Sequence, residues 1–115
     1  MEMEFRNLDD GLVNVKLAGR LDTPGVDRIE LRLTATLVPG GKNAVVDMSD
    51  VQLVTSMGIR MFVTLARSLK AKGARIAVYA PQALVRETLD NVALGDILPI
   101  CESQTDAVAA IRVTT

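Results

Sequence analysis

Val45-Val46-Asp47-Met48-Ser49-Asp50-Val51-Gln52-Leu53-Val54-Thr55-Ser56-Met57-Gly58-Ile59 is the stretch on which the fold class turns. Ala44 to Met48 is a continuous apolar run broken only by Asp47, the pattern of a central strand covered on both faces. The spacing then predicts a short loop that delivers Thr55, Ser56 and Gly58 to the start of a helix. Ile59, Phe62, Val63, Ala66 and Leu69 recur at helical spacing and form its apolar stripe. Gly73 ends that helix.

Working outward, Met3–Leu8 and Leu12–Leu17 are short alternating runs around Asp9-Asp10-Gly11, a hairpin signal. Val13, Val15 and Leu17 alternate with Asn14 and Lys16, so this strand is expected to keep one wet face. Thr23-Pro24 reads as an N-cap followed by proline at the first helical position. Val26, Ile29, Leu33 and Leu37 supply the stripe of that helix, and Pro39-Gly40-Gly41 stops it. Arg75–Ala80 is a further apolar strand, Pro81 opens a helix holding Leu84, Val85 and Leu89, and Ile97–Ile100 is a short last strand. Ser103 with Asp106 three residues on resembles a capping box before Ala107, Val108, Ala110 and Ile111. Strands alternating with helices imply βαβ units, hence an α/β chain with helices packed on a mixed sheet.

Composition narrows the chemistry. With 115 residues and 3% aromatic content, the chain is expected to form one domain, residues 1–115, around an aliphatic core. Its 13 basic and 14 acidic side chains nearly cancel, which argues against a nucleic-acid partner. The absence of histidine removes the imidazole acid–base catalyst and the Ser-His and Cys-His pairs. With a single cysteine, Cys101, it also removes the usual transition-metal ligand sets. No catalytic residue, metal or cofactor is therefore expected. Met1-Glu2-Met3-Glu4-Phe5-Arg6 lacks the basic-then-apolar order of a secretory leader. No apolar run approaches the roughly 20 residues needed to span a bilayer, so a cytoplasmic protein without membrane insertion is expected.

The helix start at Ser56 concentrates the candidate functional residues. Serine there suits an N-cap, and equally suits a phosphate, because first-turn N–H groups lack intrahelical partners and carry the positive dipole end. Asp22 and Asp47, each at a predicted strand end, either flank Ser56 and act on a phosphate by repulsion, or cap a helix and tie down a loop. Gly58, a poor helix former, marks either a close approach or a tight turn. Met57 and Met61 lie off the stripe centred on Ile59. With Arg60 they are expected on an outer, partner-facing surface, unless Met57 folds over the preceding loop.

Gly19-Arg20-Leu21-Asp22 ahead of a helix, then Val45–Val51, then Thr55-Ser56-Met57-Gly58-Ile59 resemble, in their order and spacing, the STAS domain family, and within it the bacterial anti-sigma factor antagonists. The resemblance implies one STAS-like domain with a mixed four- to five-stranded sheet and about four helices. The family's loop carries an aspartate, the phosphorylated serine, a second hydroxyl, a glycine and a leucine. Carried over, Ser56 is the phosphoacceptor and Gly58 the glycine, while Thr55 replaces the aspartate, Met57 the second hydroxyl and Ile59 the leucine. The implied function is partner switching. The unphosphorylated chain binds an anti-sigma factor serine kinase, which carries ATP and Mg²⁺. Phosphorylation at Ser56 releases it, and a serine phosphatase restores it. The alternative is an accessory subunit that binds the ATPase of an ABC transporter through the same helix face without a phosphorylation cycle. A homodimer and a nucleotide held at the helix start stay open.

Overall fold

The computed structural model describes residues 1–112. Two strands, β1 (Glu2–Asp9) and β2 (Leu12–Leu21), form a hairpin whose tight turn places Gly11 at a φ of 74°. Helix α1 (Thr23–Leu37) leads to β3 (Asn43–Val54), and α2 (Ser56–Ala71) to β4 (Ile76–Tyr79). Helix α3 (Ala83–Asn91), a single 3-10 turn (Gly95–Ile97), β5 (Ile100–Cys101) and α4 (Gln104–Ile111) complete the order. The five-stranded sheet runs β1-β2-β3-β4-β5, antiparallel at β1/β2 and parallel thereafter. This is the expected mixed α/β sheet with four helices.

Alternation along the strands separates two cores. Val13, Val15 and Leu17 of β2, Val46 and Met48 of β3 and Ile76 and Val78 of β4 face α1, α2 and α3, where Ile29, Leu33, Phe62, Leu69, Val85 and Leu89 meet them. On the other face Leu12, Val45, Ala77 and Tyr79 pack under α4 through Ala107 and Ile111. Burying a large aliphatic side chain contributes about 1.5–3 kcal/mol, so the larger cluster dominates stability. Because α4 covers only part of the second face, Lys16 remains exposed there, paired with Asp50 at 3.3 Å. That pair and the carboxylate of Asp47 hold the Lys16 ammonium above its ordinary pKa, the contacts with Asp50 being the largest cause.

Several expected boundaries move. β2 continues to Leu21 and β3 to Val54, so the predicted loop after Met48 is strand. The polar pair Ser49-Asp50 disguises it, and two register shifts against β2 absorb extra β3 residues. Such bulges bend a strand without ending it. Helix α1 is capped by Asp22, with Thr23 inside the helix: the Asp22 Oδ1 accepts the Gly25 N–H at 2.9 Å. The last strand is Ile100–Cys101, while Gly95 to Ile97 form the 3-10 turn. In α3 Leu84 faces solvent. Asn14 is buried, not wet, and its Oδ1 accepts the Tyr79 hydroxyl at 2.6 Å and Gln104 Nε2 at 3.1 Å. No helix among the described residues is long and apolar enough to cross a membrane.

Candidate functional site

Parallel pairing brings the C-terminal ends of β2 and β3 together, with Leu21 opposite Val54. Both strands turn directly into helices, α1 through the cap Asp22 and α2 through the cap Thr55. Two helix N-termini thus begin side by side at one edge of the sheet, where α/β folds place their sites.

Thr55 is the whole connection between β3 and α2. Its N–H donates to the Leu21 carbonyl oxygen at 3.0 Å and its hydroxyl donates to the same oxygen at 2.8 Å. That hydroxyl, turned toward β2, does not bond the first turn, and no other side chain among the described residues caps α2. Ser56 is then the first helical residue and is exposed. The reading of Ser56 as the N-cap is therefore corrected: β3 runs on to Val54, and its pairing with β2 leaves Thr55 at the cap position with extended backbone. The first turn holds no acidic residue, so no side-chain charge offsets the positive dipole end beside the exposed Ser56 hydroxyl.

Gly58 has a definite cause. A Cβ built there would lie 3.0 Å from Leu21 Cβ and 3.1 Å from the Leu21 carbonyl oxygen. The first turn of α2 rests on the end of β2, and any side chain at that contact would press on Leu21 unless that residue gave way by a few tenths of an ångström. Of the two explanations for this residue, close approach of another backbone is the one that holds.

The two aspartates part company. Asp22 follows Leu21 directly and so belongs to the same edge, where it caps α1 and lies 3.5 Å from Arg20 Nε. Asp47 does not reach the site. It sits opposite Lys16, five β2 residues before Leu21, which is roughly 16 Å of strand. There its Oδ1 accepts both the Ser49 N–H, at 2.9 Å, and the Ser49 hydroxyl, at 2.7 Å. The expectation that Asp47 flanks Ser56 fails because β3 does not end at Met48.

The methionines divide as well. Met61 is 2% exposed and belongs to the core, which overturns its placement on a partner-facing surface. The apolar stripe of α2 is Gly58, Met61, Phe62, Leu65, Ala66 and Leu69, rotated away from Ile59, which is only half-buried. Tying Thr55 and Gly58 to Leu21 sets that rotation. Met57 is half-buried and packs against the core edge, so it folds down as much as it faces out. Arg60 is exposed, as expected. Two outward residues absent from the sequence reading, Arg67 and Lys70, share the exposed side of α2; the signal for them was the lack of any acid between Ser56 and Ala71. Among the described residues no cluster of three or more Cys, Asp or Glu could hold a metal ion.

The model of the STAS domain matches residues 6–107. The chain belongs to the STAS domain family. It is 23% identical over 103 residues to BtrV of Bordetella bronchiseptica, assigned as an anti-sigma factor antagonist, covering 90% of this chain and 89% of that protein. The fold matches that of a Thermotoga maritima protein assigned the same role, with a TM-score of 0.84 at 18% identity over 96% of this chain and 95% of that one. It also matches the Bacillus cell-fate determinant SpoIIAA in its phosphorylated form, with a TM-score of 0.71 at 18% identity over 96% and 100% of the two chains.

Proposed function

We propose that residues 1–115 act as one non-catalytic, cytoplasmic STAS domain, an anti-sigma factor antagonist working by partner switching with Ser56 as its phosphoacceptor. The observation that carries this reading is the exposed Ser56 at the head of a helix whose first turn has no side-chain cap and no acid. A phosphate there adds about −1.5 to −2 charges where the helix dipole favours an anion. The fold would tolerate it, while a surface packed against Ser56 would face a doubly charged, strongly hydrated group. Similarity to SpoIIAA, solved in a phosphorylated form, supports the same direction.

In this reading the unphosphorylated chain binds an anti-sigma factor serine kinase through the Ser56 edge and the adjoining turns of α2. Phosphoryl transfer belongs to the kinase and its ATP and Mg²⁺; removal belongs to a serine phosphatase. Thr55 contributes position, not charge, since its hydroxyl is committed to Leu21. Mass spectrometry after incubation with the cognate kinase and ATP tests the proposal. The expected result is one phosphate on the peptide holding Ser56, and none on Ser56→Ala. Equal labelling of the two proteins overturns it.

A further inference from the structure

Helix α2 carries charge of one sign. From Ser56 to Ala71 it holds Arg60, Arg67 and Lys70 and no Asp or Glu, in a chain whose total charge is nearly balanced. The other helices of comparable exposure are mixed: α1 sets Asp27 and Glu30 beside Arg28 and Arg32, and α3 sets Glu87 and Asp90 beside Arg86. At about 100° per residue, Ser56, Arg60 and Arg67 fall within roughly 40° of one another, on the side opposite Leu65 and Leu69, and Lys70 flanks them. All four are exposed.

These cations are not used inside the fold. Among the described residues, ion pairs join Lys16 to Asp50, Arg20 to Asp22, Arg86 to Asp90 and Glu102, and Arg112 to Asp9. Among the described residues Arg60, Arg67 and Lys70 have no carboxylate within ion-pair distance. Half-buried Met57 and Ile59 border the row, and half-buried Val63 falls within it. A row of unpaired arginines edged by methionine and branched aliphatics has the composition of a protein interface. It is too short and too poor in aromatics for a nucleic-acid track, which draws on more cations and on stacking rings.

We propose that the outer face of α2, from Ser56 through Arg60 and Arg67 to Lys70, is a docking surface for an acidic protein surface, whose carboxylates supply the counter-charges this chain lacks. A one-signed field of this kind raises the encounter rate with an opposite surface and repels basic ones. Release follows from position. Arg60 lies four residues after Ser56, one turn along the same side, so a phosphate on Ser56 pairs with Arg60 internally. Three positive charges then face a group of about −2, and the field that held the partner is largely cancelled. This release step rests on the phosphoacceptor reading of Ser56; the docking face does not.

The test uses the unphosphorylated full chain, labelled with ¹⁵N and titrated with hexaglutamate at low salt. Expected are amide shifts centred on the exposed positions of α2, diminishing as salt is raised. The double variant Arg67→Glu/Lys70→Glu is expected to weaken them by on the order of tenfold. Arg28→Glu on α1 is the control for net charge and should leave them in place, with thermal unfolding confirming that each variant is folded. Shifts located elsewhere, no shifts at all, or an equal loss in Arg28→Glu overturn the proposal. So does tighter binding of duplex DNA or of phosphatidylglycerol vesicles at α2. Because Ser56 is unmodified throughout, failure here leaves the labelling result for Ser56 standing, and the reverse also holds.

Discussion

The carbonyl oxygen of Leu21 takes two hydrogen bonds from Thr55, one from its N–H at 3.0 Å and one from its hydroxyl at 2.8 Å. A single residue thereby fastens the end of β2 to the start of α2. The hydroxyl bond is part-buried, and a net contribution of about 1 kcal/mol is typical of such bonds. Thr55→Val keeps the shape and the N–H bond but removes the hydroxyl donor. Urea denaturation should show a loss of about 1 kcal/mol with an unchanged m-value. An unaltered midpoint would mean that the hydroxyl bond adds nothing to the clamp.

The same oxygen limits Gly58. Alanine would raise helix propensity by up to about 1 kcal/mol, but its methyl would press on Leu21 at 3.0–3.1 Å. The carbonyl is held twice by Thr55 and cannot easily retreat, and overpacking costs about 1–3 kcal/mol. Gly58→Ala should therefore be destabilised by about 1–2 kcal/mol in denaturant melts. A variant more stable than wild type would show that α2 can lift from β2 freely.

Met61 and Met57 offer a contrast within one turn. Met61 lies in the core, and truncation of a buried methionine costs about 2–5 kcal/mol. Met61→Ala should fall in that range, whereas Met61→Leu should lose less than about 1.5 kcal/mol. Met57→Ala, from a half-buried position, should lose clearly less stability than Met61→Ala. Equal losses at the two positions would contradict the rotation of α2 described above.

Tyr79 is the only tyrosine in the chain, so its ionisation can be followed directly by ultraviolet absorbance. Burial chiefly, and the negative charge of Asp47 next, push its phenol above the usual value of 10.0, against the lowering effect of its bonds to Gln104 and Asn14. The native state thus holds the proton after the unfolded chain has lost it. Stability is fully present below the unfolded pKa and declines as pH climbs from there through the folded value. The native titration midpoint should lie above that measured in urea, and Tyr79→Phe should flatten the alkaline decline in stability. Coincident midpoints would exclude the effect.

How much of this was legible in the residues follows from which physical signal each part depends on. The hairpin, the alternation of strands and helices, the stripe of α1 and the placement of Ser56 at a helix start are local patterns, and they hold. The far reach of β3 was hidden because Ser49 and Asp50 look like loop residues. Only the parallel pairing with β2, a contact distant in sequence, keeps them in the sheet. The misplacement of Asp47 follows from that one error. The burial of Met61 depends on how α2 is rotated, and that rotation is fixed by contacts with Leu21 that no periodicity reveals. Asn14 looked wet by alternation, and the covering residues come from β4 and α4, 65 and 90 positions later.

With Thr55 as the only residue between β3 and α2, the connection has almost no conformational entropy left to lose. A partner arriving at Ser56 meets backbone already in its final place and forfeits little free energy in ordering it. Recognition at this edge should therefore resemble rigid-body docking, with affinity differences expressed mainly in how long a complex lasts. What alters that lifetime is the charge displayed on a stationary frame.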